Sequence, residues 1–146
     1  MIRPKRIIQA SLTAAAVVGA TLTFSGTAEA AGSCSGSLID TYNVTGDNSP
    51  YAGQYVGQVR LYWDGTYNCA IFTKSGGPLY GLNTSMSIKL MAGTSPERSD
   101  IDNGTYAYYA GPVKVAAAGK CVRWEGSIIY NDRTVAYDSS SWDHCG

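Results

Sequence analysis

The chain has 146 residues, 11 basic and 11 acidic side chains, one histidine and four cysteines. This balance leaves no basic stripe of the kind that grips a nucleic-acid backbone. With 45% hydrophobic residues, the chain can build one modest core in a single domain.

The first thirty residues read as an export signal. Arg3, Lys5 and Arg6 precede an apolar stretch from Ile7 to Phe24, and Ala28-Glu29-Ala30 offers the small-x-small exit a signal peptidase accepts. Thr, Ser, Gln and Gly interrupt the run, which favours cleavage over a membrane anchor. Residues 1–30 are thus expected to be a signal peptide, and residues 31–146 a single β domain starting at Ala31. The mature part carries eight basic and ten acidic residues, a net charge of −2, and no further segment suited to spanning a membrane.

Beyond a break at Thr45-Gly46-Asp47-Asn48-Ser49-Pro50, the two-residue period of a half-buried strand begins. Val59, Leu61 and Trp63 alternate with Gln58, Arg60 and Tyr62; then Tyr67, Cys69 and Ile71 alternate with Asn68, Ala70 and Phe72. Asp64-Gly65-Thr66 between them signals a turn. A three-residue loop there would pair Trp63 with Tyr67, Leu61 with Cys69 and Val59 with Ile71, placing both apolar sets on one face. Ser75-Gly76-Gly77-Pro78 marks the next break, Met86, Ile88 and Leu90 alternate with serines and Lys89, and Gly93 to Gly104 is expected to be a loop. Ala116 to Ala118 form too short a run for a stable helix and are expected to be strand and turn. Short strands at this spacing predict an all-β fold, a small disulfide-bonded antiparallel sandwich or barrel.

Cys34, Cys69, Cys121 and Cys145 all follow the cleavage point, and an even count in an exported chain implies two disulfides. With no Cys-x-x-Cys pair and one histidine, no metal is expected, and no cofactor either. Three pairings are open. A faint echo relates Val59-Arg60-Leu61…Cys69-Ala70-Ile71-Phe72 to Val113-Lys114-Val115…Cys121-Val122-Arg123-Trp124, each resembling a hairpin with cysteine on its return strand. Two similar halves would each hold their own bridge, Cys34–Cys69 and Cys121–Cys145.

Candidate chemistry is sparse. His144 lies beside Cys145 at the chain end, and no serine has a nucleophile-elbow setting, so an exposed tail residue is expected rather than a catalytic one. Asp100, Asp102, Asn103 and Gly104 resemble the start of a calcium loop but lack its later glutamate and flanking helices. The aromatic content is the most informative feature. All eleven tyrosines and all three tryptophans fall in the mature part, where Phe72 is the only phenylalanine. Tyr108, Tyr109, Trp63, Trp124 and Trp142 are the candidate surface contacts, because such rings pair an apolar face with a polar edge.

The stretch Gly104-Thr105-Tyr106-Ala107-Tyr108-Tyr109-Ala110-Gly111-Pro112-Val113, continuing to Cys121-Val122-Arg123-Trp124-Glu125-Gly126-Ser127-Ile128, resembles the spore-associated protein A family of spore-forming filamentous bacteria. The terminal Cys145-Gly146 fits as well. The resemblance implies a small exported four-cysteine protein associated with spores, and brings no catalytic residues. The expected function is that of a secreted, non-enzymatic protein of the cell or spore surface. Its expected partner is a cell-wall or spore-surface polymer, not nucleic acid. A carbohydrate-binding module is the first alternative. The second is a protease inhibitor presenting Gly76-Gly77-Pro78-Leu79-Tyr80.

Overall fold

Alternating apolar and polar residues become eight antiparallel strands in the computed structural model, which describes residues 32–93 and 98–146. The expected signal peptide lies outside the described residues. In chain order the strands are β1 (Ser37–Thr45), β2 (Tyr55–Trp63), β3 (Tyr67–Lys74), β4 (Thr84–Ala92), β5 (Arg98–Tyr106), β6 (Tyr109–Ala116), β7 (Val122–Tyr130) and β8 (Arg133–Ser139). They form two four-stranded sheets, β1-β2-β3-β6 and β5-β4-β7-β8. The fold is all-β as expected, and of the two expected architectures, sandwich or barrel, it is the sandwich.

The inner faces supply one core. Val59, Leu61, Ala70 and Phe72 come from the first sheet, and Met86, Ile88, Leu90, Trp124 and Ile128 from the second. Burying each larger side chain contributes about 1.5–3 kcal/mol. Phe72 sits at the centre. A Cβ on Gly57 would lie 2.7 Å from its ring, and one on Gly126, in the opposite sheet, 3.3 Å away. Two glycines therefore make the space that one phenylalanine fills.

Three expectations need correction. The β2–β3 register pairs Trp63 with Asn68, Leu61 with Ala70 and Val59 with Phe72, one residue away from the expected pairing. Asp64 causes the difference: its Oδ1 accepts the Thr66 and Tyr67 amides at 3.0 and 2.8 Å. The loop contracts to Gly65-Thr66, with Gly65 at φ +95° in the leading position that favours glycine. Cys69 consequently faces outward, where its bridge to Cys34 covers it. Second, Gly93 to Gly104 is not a loop throughout, because β5 starts at Arg98. Third, the segments around Val113–Val115 and Cys121–Trp124 form no hairpin. β6 belongs to the first sheet and β7 to the second, so the chain crosses between sheets there.

The bridges themselves are Cys34–Cys69 and Cys121–Cys145, the pairing expected. The first ties the segment before β1 to β3, and the second ties the C-terminal segment to the residue that precedes β7.

Carboxylates close the seam between the sheet edges β5 and β6. Asp102 Oδ2 accepts the Gly111 amide at 2.6 Å, and Asp100 Oδ2 accepts the Lys114 amide at 2.9 Å. These side chains stand in for a neighbouring strand, satisfying edge amides that would otherwise invite pairing with another chain. Gly111 and Pro112 together oppose Ile71 in a β-bulge; Gly111 has φ +98°, and its amide is turned toward Asp102. The acidic residues that resemble a calcium loop are therefore structural.

Candidate functional site: the tyrosine-rich end

Antiparallel topology sends connections 46–54, 75–83, 107–108 and 131–132 to one end of the sandwich. On or beside them lie Tyr51, Tyr55, Tyr80, Tyr106, Tyr108, Tyr109 and Tyr130, seven of the eleven tyrosines. Sequence spacing hides this, because the residues are spread over eighty positions and meet only when the sheets assemble.

At the tip, Tyr80 and Tyr108 contact edge to face with centroids 5.0 Å apart. They are 51% and 50% exposed, and the neighbouring Leu82 is 40% exposed. Lys74, buried beneath this tip, holds part of its backbone, and its amide donates to the Tyr108 carbonyl at 2.8 Å. Its Nζ donates to the Leu82 carbonyl at 2.6 Å and to the Tyr106 carbonyl at 2.8 Å. Burial lowers the Lys74 pKa to about 8. The Gly81 amide donates to the Ala107 carbonyl at 3.0 Å, joining the two loops. An exposed apolar tip thus rests on a rigid base. The Tyr106 phenol donates to Asp102, and that hydrogen bond, followed by burial, pushes its pKa up.

The sequence-selected aromatic residues do not form one surface. Tyr108 is exposed and Tyr109 half-buried, both at the tyrosine-rich end. Trp124 is 1% exposed and packs against Tyr42 with the two rings tilted by 57°, so it offers nothing to a ligand. It was selectable only as a tryptophan; its alternation with Arg123 and Glu125 marks it as inward. Trp63 and Trp142 are half-buried at the far end of the molecule. No row of three exposed tryptophans exists.

That far end carries both disulfides and a polar cluster that sequence reasoning missed. His144 is not a free tail residue. Its Nε2 lies 3.0 Å from Asp40 Oδ2 and 3.2 Å from the Tyr42 hydroxyl, which in turn donates to Asp143 Oδ2 at 3.0 Å. Burial and then the Asp143 carboxylate push the Tyr42 phenol well above its ordinary pKa. Burial opposes ionisation of Asp40, but the Thr41 amide and His144 outweigh it and hold the carboxyl below its usual value. The cluster fastens the C-terminal segment to β1. Beside it, a concavity of about 290 Å³ is lined by Ile39, Trp63, Asn68, Ala117 and His144. The Cys121–Cys145 bridge adjoins it, and all four cysteines are bridged, so no thiol is available as a nucleophile or ligand. Among the described residues no group of three or more His, Cys, Asp or Glu side chains is arranged to hold a metal.

The inhibitor loop is also displaced. Leu79 is buried in the core, and the Tyr80 and Leu82 amides donate back to the Gly77 and Leu79 carbonyls. The segment is a folded turn remote from both bridges, rather than an extended strand presented beside one.

No family model matches the chain, and no solved structure matches it. Among curated proteins, spore-associated protein A of Streptomyces coelicolor is 34% identical over 143 residues, covering 91% of this chain and 86% of that protein. This agrees with the Tyr-Ala-Gly-Pro-Val block, which the structure places at the bulge and seam between β5 and β6. The chain belongs to the spore-associated protein A family.

Proposed function

We propose that this protein is secreted, non-enzymatic, and attached to the cell or spore surface through its tyrosine-rich end. One observation carries the reading: Tyr80, Tyr108 and Leu82 expose apolar surface together at the end opposite both disulfides. Soluble domains seldom leave large apolar side chains clustered in water without a partner. A spore-associated relative and two disulfides are consistent with an extracellular or spore location. The non-enzymatic reading is supported by the environment of the only histidine. Its Nε2 is engaged by Asp40 and Tyr42, and the Tyr42 proton is held by Asp143. A phenol with a raised pKa is a poor nucleophile.

The test is co-sedimentation of purified mature protein with cell-wall and spore preparations. Tyr80→Ser combined with Tyr108→Ser should lower retention at least about fivefold, whereas His144→Ala should leave it unchanged. Retention that ignores both tyrosines would reject this attachment surface.

A further inference from the structure

We propose that the cleft between the 46–54 connection and the β7–β8 turn binds a pyranose carrying a carboxylate. The inference rests on the attachment reading and assigns it a ligand class.

The cleft has a volume of about 320 Å³ and is lined by Asn48, Ser49, Tyr51, Tyr130, Asn131 and Arg133 among others. That volume is at the small end of ligand pockets and suits a sugar unit better than a long peptide. Tyr51 and Tyr130 pack against the core on one side and are half-buried, so their rings are held in place. A sugar ring presents C–H groups to such faces and hydroxyls to the polar groups around them.

Both walls are built before any ligand arrives. Asn131 and Asp132, at φ 52° and 58°, form the two-residue turn that makes Tyr130 and Arg133 directly opposed partners. Opposite them, Asn48 Nδ2 donates to the Thr134 carbonyl at 2.9 Å, and the Asp47 amide donates to the Val135 carbonyl at 2.8 Å. Gln54 Nε2 closes the loop on the Pro50 carbonyl at 2.7 Å. Rigid walls reduce the ordering cost of binding.

The groups facing the cleft are unused. Among the described residues, the hydroxyls of Tyr51 and Tyr130, the Asn131 amide and the Arg133 guanidinium have no hydrogen-bond or ion-pair partner. Among the described residues that line the cleft, Arg133 is the only charged side chain. One guanidinium beside two phenols matches a single carboxylate on a sugar ring, because the planar fork donates two parallel N–H bonds to the carboxylate oxygens. A densely charged polyanion fits poorly, since the mature chain is itself net negative.

The experiment titrates isotope-labelled mature protein with N-acetylmuramic acid, galacturonic acid and N-acetylglucosamine, followed by NMR. The first and third share a pyranose ring and differ by a lactyl carboxylate. The expected result is that an acidic sugar shifts Tyr51, Tyr130 and Arg133 signals and binds about three- to fivefold tighter than N-acetylglucosamine, the scale of an exposed charge pair. Arg133→Gln should erase that preference while leaving the fold intact, because the Arg133 side chain is exposed and, among the described residues, has no hydrogen-bond or ion-pair partner. Tyr130→Ala should weaken all three sugars. The inference falls if neither acidic sugar shifts these residues, if Arg133→Gln keeps the preference, or if an acidic tetrapeptide binds there more tightly than the sugars. Should the sugars fail while cell-wall retention still depends on Tyr80 and Tyr108, the ligand assignment is wrong and the attachment reading stands.

Discussion

The two ends of the sandwich are held by different means. At one, the bridges Cys34–Cys69 and Cys121–Cys145, the Asp64-capped turn and the His144 cluster fix the outer segments. At the other there is no disulfide. Four connections are held by hydrogen bonds, from the backbone, from side chains such as Asn48, Gln54 and Ser75, and from one buried ammonium, and aromatic side chains are left facing outward. Covalent restraint acts mainly by limiting the unfolded chain, so it protects the whole domain wherever it is placed. Recognition, by contrast, needs local surface. Concentrating the bridges at one end leaves the other free to carry rings that a core would otherwise absorb.

Removing covalent restraint should have the largest effect. Paired Cys34→Ser and Cys69→Ser, or paired Cys121→Ser and Cys145→Ser, should each destabilise the domain by about 2–4 kcal/mol in urea unfolding. The bridges span 35 and 24 residues, so the first pair should cost more by only about 0.3 kcal/mol on chain-entropy grounds. Below the unfolding transition, both should keep wall retention. If retention vanishes in a folded bridge variant, the proposed separation of roles is wrong.

Lys74 tests the other end. Lys74→Met leaves the Leu82 and Tyr106 carbonyls without their donor, at a cost of about 1–3 kcal/mol. The effect should depend on pH. Burial lowers the folded-state pKa of Lys74 to about 8, against an ordinary value of 10.5. Between those values the unfolded chain holds more protons, so this residue makes wild-type stability rise with pH across the window. The variant lacks that contribution, and its deficit should widen from pH 8 to 10.5. A constant difference would show that Lys74 titrates normally.

His144→Ala should cost about 1 kcal/mol by chemical denaturation, since it removes contacts to Asp40 and Tyr42 while Asp143 still holds the Tyr42 phenol. No loss would mean that the tail is as free as its sequence position suggests. The smallest stability effect belongs to Tyr80→Ser with Tyr108→Ser, below about 1 kcal/mol in the same assay, because both rings are half exposed. A larger loss would make these rings structural and remove the main argument for attachment.

Particular residues show where sequence reasoning worked. Met86, Ile88 and Leu90 alternate with polar neighbours and are the buried face of β4, since a period of two is a local property of extended backbone. The bridge pairing came out as expected although one supporting hairpin does not exist: the cysteines follow the sheets, while β6 leaves its sequence neighbours to complete the first sheet. The β2–β3 register was missed because one carboxylate, Asp64, captures two turn amides and shortens the loop. Asp100 and Asp102 looked like cation ligands because their partners, the amides of Lys114 and Gly111, lie on another strand.

Sequence alone determined the β character, the two bridges and the family, because alternation, cysteine count and a distinctive Tyr-Ala-Gly-Pro-Val block are written in neighbouring residues. Tertiary structure alone decided which aromatic rings meet solvent. Trp124 is buried while Tyr108 is half exposed, and His144 meets Asp40 across 104 positions. Tyr51 and Tyr130 face one cleft from opposite parts of the chain. Such placements follow from strand order and sheet packing, which bring together residues whose separation along the chain carries no trace of their proximity.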